Sequence, residues 1–123
     1  EINAVASAGE ILAMGDLRKE VPIDKDVQSH LVKLVLATHP DNDKAPKIVK
    51  DYVRHGSSPR GAQSILAASR VAALLDGRYH VSREDVERMA VPALRHRMIL
   101  SFEGEAEGVR TDTVLKEMIK ELA

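Results

Sequence analysis

A long and almost entirely apolar helical stretch constrains the fold of this chain more than any other feature of its sequence. From Pro59 to about Leu75 most positions carry aliphatic or alanine side chains, and Asp76-Gly77 ends the run. A helix with so little polar surface has to be covered on most of its sides, so it is typically the central helix of its domain. The sequence therefore predicts a helical domain built around this segment.

Shorter amphipathic stretches on either side of the central segment supply the remaining helices. They are predicted over residues 3–14, 24–38, 48–54, 82–91, 92–100 and 111–122. In the first of them an apolar stripe is expected to be buried, made by Ala4, Val5, Ala8, Ile11 and Leu12, with Gly15 near the helix end. Pro92 is expected to kink or break the helix that starts at Ser82, and residues 103–108 are expected to form an acidic loop.

The composition fits one all-α domain over residues 1–123, a small bundle of five to six helices. Aromatic residues make up only 2% of the chain, so the core has to be aliphatic. Residues 79–81 are candidates for pairing with residues 21–23 in a minor two-stranded patch. Ser82 and Asp85 resemble a capping box at a helix start, with Val81 and Val86 at the positions of a hydrophobic staple.

Charge and cysteine content argue against several classes of function. The formal net charge of −1 gives no global preference for nucleic acid. There is no cysteine, which excludes disulfides and thiolate chemistry and agrees with a reducing, cytoplasmic location. No apolar run approaches the roughly 20 residues that span a bilayer. The histidines show no spacing typical of a metal site, so none is expected.

The segment Gly56-Ser57-Ser58-Pro59-Arg60 is the most informative local motif. Ser58 is suited to cap a helix and Pro59 to its first turn, which places Arg60 at the helix N-terminus. Free backbone N–H groups, the positive end of the helix dipole and a guanidinium together favour binding of an anion such as phosphate. The turn by itself favours the simpler interpretation, a capped helix with a solvated or salt-bridged arginine.

Several separate motifs of the chain resemble the C-terminal lid of MoxR ATPases, a branch of the AAA+ superfamily. The resembling segments are Tyr-Val-Arg-His-Gly-Ser-Ser-Pro-Arg-Gly-Ala-Gln (52–63), Ala-Leu-Leu-Asp-Gly-Arg-Tyr-His-Val-Ser (73–82), Glu-Asp-Val (84–86), Pro-Ala-Leu-Arg-His-Arg (92–97) and Phe-Glu-Gly-Glu-Ala-Glu-Gly-Val (102–109). Their order and spacing match over well more than half of the chain. His39 stands where many relatives have arginine, and Ser57 where alanine is frequent.

The resemblance implies a role for the arginine of the Ser-Pro-Arg motif. Arg60 would be the sensor 2 arginine, reaching from the lid to the γ-phosphate of ATP. Ser58, Pro59, Arg60 and Gly61 are the candidate nucleotide-contacting residues, with Arg60 in the catalytic role. The sequence contains no Gly-x-x-x-x-Gly-Lys-Ser/Thr motif, so we expect ATP and its Mg²⁺ to be held by a P-loop domain upstream of residue 1, and no tightly bound cofactor here. We therefore expect this segment alone not to hydrolyse ATP.

The resemblance also implies binding partners for this chain, and two other functions are alternatives to it. It implies the chain's own P-loop domain and the neighbouring subunits of a ring, expected to be hexameric, in a chaperone-like machine whose client the sequence does not identify. The alternative is a free-standing helical module that binds another protein. A helix-turn-helix DNA-binding protein is disfavoured by the near-neutral charge. Arg95-His96-Arg97 is interpreted mainly as surface charge with one packed stem, and the alternative is that it lines the nucleotide cleft or a subunit interface.

Overall fold

The computed structural model describes residues 2–123, which form seven helices and two short strands. The helices are α1 (Ala8–Glu20), α2 (Lys25–Ala37), α3 (Lys47–Tyr52), α4 (Pro59–Leu75), α5 (Arg83–Leu94), α6 (Phe102–Ala106) and α7 (Thr111–Leu122). The strands are β1 (Val53–His55) and β2 (Ile99–Leu100). The predicted helical class with a minor two-stranded sheet is confirmed. No helix within residues 2–123 is long and apolar enough to cross a membrane.

Helix α4 lies at the centre of the bundle, as its apolar sequence predicts. It packs mainly on α5 and also contacts α2 and α1, while α7 packs on α5, α3 and α2. The core is aliphatic, and its largest fully buried side chains are Leu34, Ile65, Leu94, Leu115 and Met118. Two of the three aromatic residues, Tyr79 and Phe102, are exposed. Aliphatic side chains thus provide nearly all of the buried apolar surface.

Local signals set the boundary between α4 and α5. Gly77 has a φ of +74° directly after the C-cap Asp76, and the N–H of Arg78 reaches back to the carbonyl of Ala73 at 2.8 Å. This left-handed glycine ends α4 as such C-terminal motifs usually do. The predicted capping box at the start of α5 is confirmed, because Ser82 and Asp85 exchange hydrogen bonds between side chain and backbone.

The two-stranded sheet lies elsewhere than the sequence suggested. β1 pairs with β2 in antiparallel fashion, with Val53 opposite Leu100. Between the segments predicted to pair, a single parallel bridge joins Ile23 and Val81. The N–H of Val81 donates to the carbonyl of Pro22 at 3.1 Å. The predicted contact therefore exists as one bridge, not as a pair of strands.

The prediction for the first helix was wrong in both its bounds and its buried face. Helix α1 starts after Ser7, whose side chain forms a capping box with Glu10, and it continues through Gly15 to Glu20. It contains no buried residue, and Ile11, Leu12 and Met14 of its apolar positions are 60% or more exposed. Residues 4 and 5 of the predicted stripe precede the helix and are exposed as well.

Two further predictions, at Pro92 and at the acidic segment, were also wrong. Helix α5 runs through Pro92 and ends at Leu94, so residues 92–100 do not form a separate helix. Pro92 has no N–H to donate to the turn before it. Because only two helical residues follow, the helix loses this one backbone hydrogen bond close to its end. Most of the predicted loop 103–108 is the short helix α6, whose N-cap Ser101 accepts a hydrogen bond from the N–H of Gly104 at 3.2 Å.

Candidate functional site

The candidate site is the arginine turn, residues 56–60, where β1 leads into α4. Ser58 is the N-cap of α4 and Pro59 occupies its first turn, as predicted. The Ser58 hydroxyl, however, makes no capping hydrogen bond. The first turn of α4 therefore has no side-chain cap at the positive end of a 17-residue helix, although the N–H of Gly61 donates to the Ser58 carbonyl at 2.8 Å.

A buried pair of hydrogen bonds fixes the arginine turn to the end of α2. The N–H of Ser57 donates to Thr38 Oγ1 at 2.9 Å, and Thr38 Oγ1 donates to the carbonyl of Val35 at 2.6 Å. Ser57 and Thr38 are both fully buried. Buried polar groups that are mutually satisfied rigidify the backbone that carries them. The position of the turn is therefore set by α2 and not by solvent.

His39 adds a third connection between α2 and the arginine turn. Its Nε2 lies 2.9 Å from the carbonyl oxygen of Ser57. A carbonyl only accepts, so Nε2 carries the proton in this contact. His39 thus helps to hold the arginine turn against the end of α2.

Two glycines allow the turn to pack this closely. A Cβ atom on Gly56 would lie 2.6 Å from the carbonyl oxygen of Thr38, and one on Gly61 would collide with the Ser57 side chain and lie 2.8 Å from Leu94 Cδ2. Neither position has space for a side chain. Gly61, predicted as a nucleotide contact, is buried, so its role visible in the structure is to let α4 approach α5.

Arg60 is exposed, and no carboxylate of residues 2–123 pairs with it. None of the ion pairs formed within these residues includes Arg60, and its guanidinium makes no hydrogen bond to them. Its full charge and all of its fork of donors are therefore available to an external acceptor. Ser58 and Pro59 are exposed beside it.

A second arginine approaches α4 one turn beyond Arg60. Arg97 follows α5, where its Nε donates to the carbonyl of Ala93 at 3.1 Å and its Nη2 donates to Ser64 Oγ at 3.1 Å. Ser64 Oγ in turn donates to the carbonyl of Arg60 at 3.0 Å. Sequence reasoning treated the 95–97 triplet mainly as surface charge, and its spacing carried no signal of this contact.

The other end of α4 is held by a network of charges. Asp85, which is 2% exposed, receives two hydrogen bonds of 2.8 Å from Arg78, and Arg88 bridges Asp85 and Asp76. The Arg78 guanidinium lowers the pKa of Asp85 to about 2, and the opposing effect of burial is smaller. Asp85 therefore stays ionised at neutral pH and ties α5 to the end of α4.

Comparison with known proteins identifies the family. Residues 45–118 match the model of the AAA lid domain, which is more than half of the chain. The chain belongs to the AAA lid domain family. Among curated proteins it is 28% identical to Chaperone MoxR1 of Mycobacterium tuberculosis, over 97% of this chain and 32% of that protein. It is 43% identical to Protein MoxR of Paracoccus denitrificans over 49 residues, 40% of this chain and 14% of that protein. Both relatives carry MoxR names, and the chain is similar to one part of each.

A solved structure agrees with this assignment. A crystal structure from Cytophaga hutchinsonii, provisionally described as an ATPase, superposes on 94% of the lid with a TM-score of 0.85 and 27% identity. The lid covers 34% of that chain and about a third of the length of Chaperone MoxR1. The fold and the family of the lid are thus shown. The lid corresponds to about one third of each of these larger proteins.

Proposed function

We propose that this lid supplies Arg60 as the sensor 2 arginine to ATP held by a P-loop domain of the same polypeptide. The single observation that carries the proposal is the state of Arg60: exposed, without a carboxylate partner in residues 2–123, and mounted on a turn fixed by buried hydrogen bonds. A guanidinium in that state is matched to a phosphate oxygen because it offers two parallel donors and a permanent charge.

The residues of the turn fit a polyphosphate. Ser58, Pro59 and Arg60 present an exposed surface at the positive end of α4, and no acidic residue lies within the turn itself. No group of acidic or histidine side chains within residues 2–123 is arranged to hold a metal ion. In this proposal Mg²⁺ and the phosphates belong to the P-loop domain, and Arg60 approaches from the lid.

In the proposed mechanism Arg60 stabilises charge. Phosphoryl transfer from bound ATP places negative charge on the γ-phosphoryl oxygens, and a preorganised cation there lowers the barrier. The rigidity of the arginine turn matters because it fixes the backbone that carries Arg60, which reduces the reorganisation needed to place the side chain. The same contact favours a closed lid when the terminal phosphate is present and weakens once it has left.

The partners of the lid are part of the same proposal. Helix α1 carries exposed Ile11, Leu12 and Met14 although it belongs to a folded bundle, and the relatives are about three times longer than the lid. We assign this surface to contact with the upstream P-loop domain, within a ring of subunits, taken as hexameric, that uses ATP to remodel a client protein. A cytoplasmic location stays a prediction from the cysteine-free sequence.

The direct test is Arg60→Ala in the full-length protein. We expect turnover of ATP to fall about a hundredfold, the order seen when one transition-state donor is removed, while the lid stays folded. Lys116→Ala is a matched control, because it removes an exposed cation from α7, which packs on α2, α3 and α5. An Arg60→Ala enzyme that turns over as fast as the control would remove Arg60 from the mechanism.

A free-standing protein-interaction module is the second candidate, and the uncovered face of α1 favours it. Exposed apolar side chains along one helix are also typical of a docking surface for another protein, and α1 exposes Ile11, Leu12, Met14 and Leu17. The two candidates differ in what precedes residue 1 in the gene product. A P-loop sequence there supports the lid, and a start codon immediately before it supports the module.

A further inference from the structure

We infer that Arg97 is a second arginine facing the nucleotide polyphosphate, beside Arg60. This inference rests on the proposed function of Arg60 and adds a residue to it. The observation behind it is the pair of hydrogen bonds that share Ser64 Oγ, which join the Arg97 side chain to the Arg60 backbone.

The anchoring of Arg97 leaves much of its guanidinium unused. Its Nε is satisfied by the carbonyl of Ala93 and one N–H of Nη2 by Ser64. The remaining N–H groups, including both on Nη1, have no acceptor within residues 2–123, and no carboxylate there pairs with the charge. A guanidinium held on two points presents its free donors in a fixed direction, which lowers the entropy lost on binding an anion.

Two arginines without a counter-charge reach neighbouring turns at the start of α4, where their like charges repel each other. Arg60 and Ser64 are one turn apart on α4, and Ser64 Oγ joins the Arg97 guanidinium to the Arg60 carbonyl. At the other end of α4, by contrast, Arg78 and Arg88 share the carboxylate of Asp85. The unneutralised pair at the start of α4 is therefore matched to an external group with more than one negative charge.

The positions of Arg60 and Arg97 along α4 suggest that they contact different phosphate groups of the nucleotide. Arg60 projects from the first turn of α4, whereas Arg97 is anchored one turn further along the helix. We assign Arg60 to the terminal phosphate of ATP and Arg97 to the phosphates that ATP and ADP share. Removing Arg97 should then weaken ATP and ADP alike, whereas removing Arg60 should weaken ATP more than ADP.

The test measures equilibrium binding of fluorescent ATP and ADP analogues to the full-length protein. For Arg97→Ala we expect both dissociation constants to rise by roughly ten- to 150-fold, the range for one charge-assisted contact. Arg97→Gln keeps a donor for Ala93 or Ser64 but carries no charge, so we expect the same loss, whereas Arg97→Lys should recover part of the affinity. Lys116→Ala serves as the control for loss of a surface cation.

The outcomes separate this inference from the proposed function. If Arg97→Gln binds both nucleotides like wild type while Arg60→Ala loses ATP affinity, Arg97 is only a structural link between α5 and α4, and the inference is overturned. If neither Arg60→Ala nor Arg97→Gln changes binding or turnover, the proposed function itself fails. Should Arg97→Ala not fold, the comparison of Arg97→Gln with Arg97→Lys decides, because these two differ in charge.

Discussion

The charged network at the end of α4 predicts a large and pH-dependent cost for Asp85→Asn. Asp85 is 2% exposed and its pKa is lowered from 3.8 to about 2, mainly by its hydrogen bonds with Arg78. A shift of that size corresponds to about 2 kcal/mol of stability at neutral pH. Asparagine keeps an acceptor for the capping box but leaves Arg78 without its buried carboxylate. We therefore expect a loss of about 2–3 kcal/mol in the free energy of unfolding.

The lowered pKa of Asp85 also determines how the stability difference between wild type and Asp85→Asn changes with pH. Because the folded state lowers the pKa of Asp85, its stabilisation is complete above pH 3.8 and is lost as the pH falls through about 2. Urea unfolding followed by circular dichroism should therefore show wild type and Asp85→Asn converging between pH 4 and pH 2. Asp76→Asn is the matched control, because Asp76 also binds Arg78 but is 43% exposed, so its replacement should lower the free energy of unfolding much less than Asp85→Asn does. A difference between wild type and Asp85→Asn that is absent at pH 7, or constant down to pH 2, would refute this reasoning.

Two further substitutions test the packing of α4. Gly61→Ala should destabilise the lid by roughly 1–3 kcal/mol, because its Cβ meets Ser57 and Leu94, whereas Gly15→Ala, which meets nothing within 4 Å, should stabilise α1 by up to about 1 kcal/mol. Urea midpoints check both, and equal effects at the two glycines would contradict the close approach of α4 to α5. Ser69→Ala should be neutral or stabilise by about 1 kcal/mol, since the Ser69 hydroxyl is fully buried without a hydrogen-bond partner within residues 2–123. A loss above 1 kcal/mol in the same assay would mean that this hydroxyl has a partner.

The parts of the fold that were predictable are those set by local signals. The bounds of α4 and α7 follow from a proline, a left-handed glycine and apolar periodicity, all readable in sequence. The capping box of Ser82 with Asp85 is likewise a contact between residues three positions apart. In these segments local preference and tertiary packing favour the same structure, so the sequence was sufficient.

The failures have two physical causes. For α1, the apolar stripe was assumed to face the core of this domain, but Ile11 and Leu12 are exposed and no part of residues 2–123 covers them. The capping box of Ser7 with Glu10 was a readable signal that was missed. Pro92 was judged by its general effect in helix interiors, but only the structure shows that α5 ends two residues later.

The candidate site was predictable in part. The motif identified Ser58, Pro59 and Arg60 as neighbours at a helix start, because they are consecutive in sequence. The supports of the arginine turn, Thr38 and Arg97, come from positions far along the chain. No local pattern reports contacts of that kind, so the tertiary fold was needed to find them.

The fixation of the arginine turn to α2 has a mechanical consequence. Since buried hydrogen bonds fix the turn to α2, the backbone of Arg60 travels only when the whole lid moves as one body, while its exposed side chain stays free to change rotamer. With α4 about 25 Å long, a swing of about 10° around its far end displaces Arg60 by about 4 Å, more than the length of a hydrogen bond. In the proposed role, a modest rotation of the lid is thus enough to make or break the contact with phosphate.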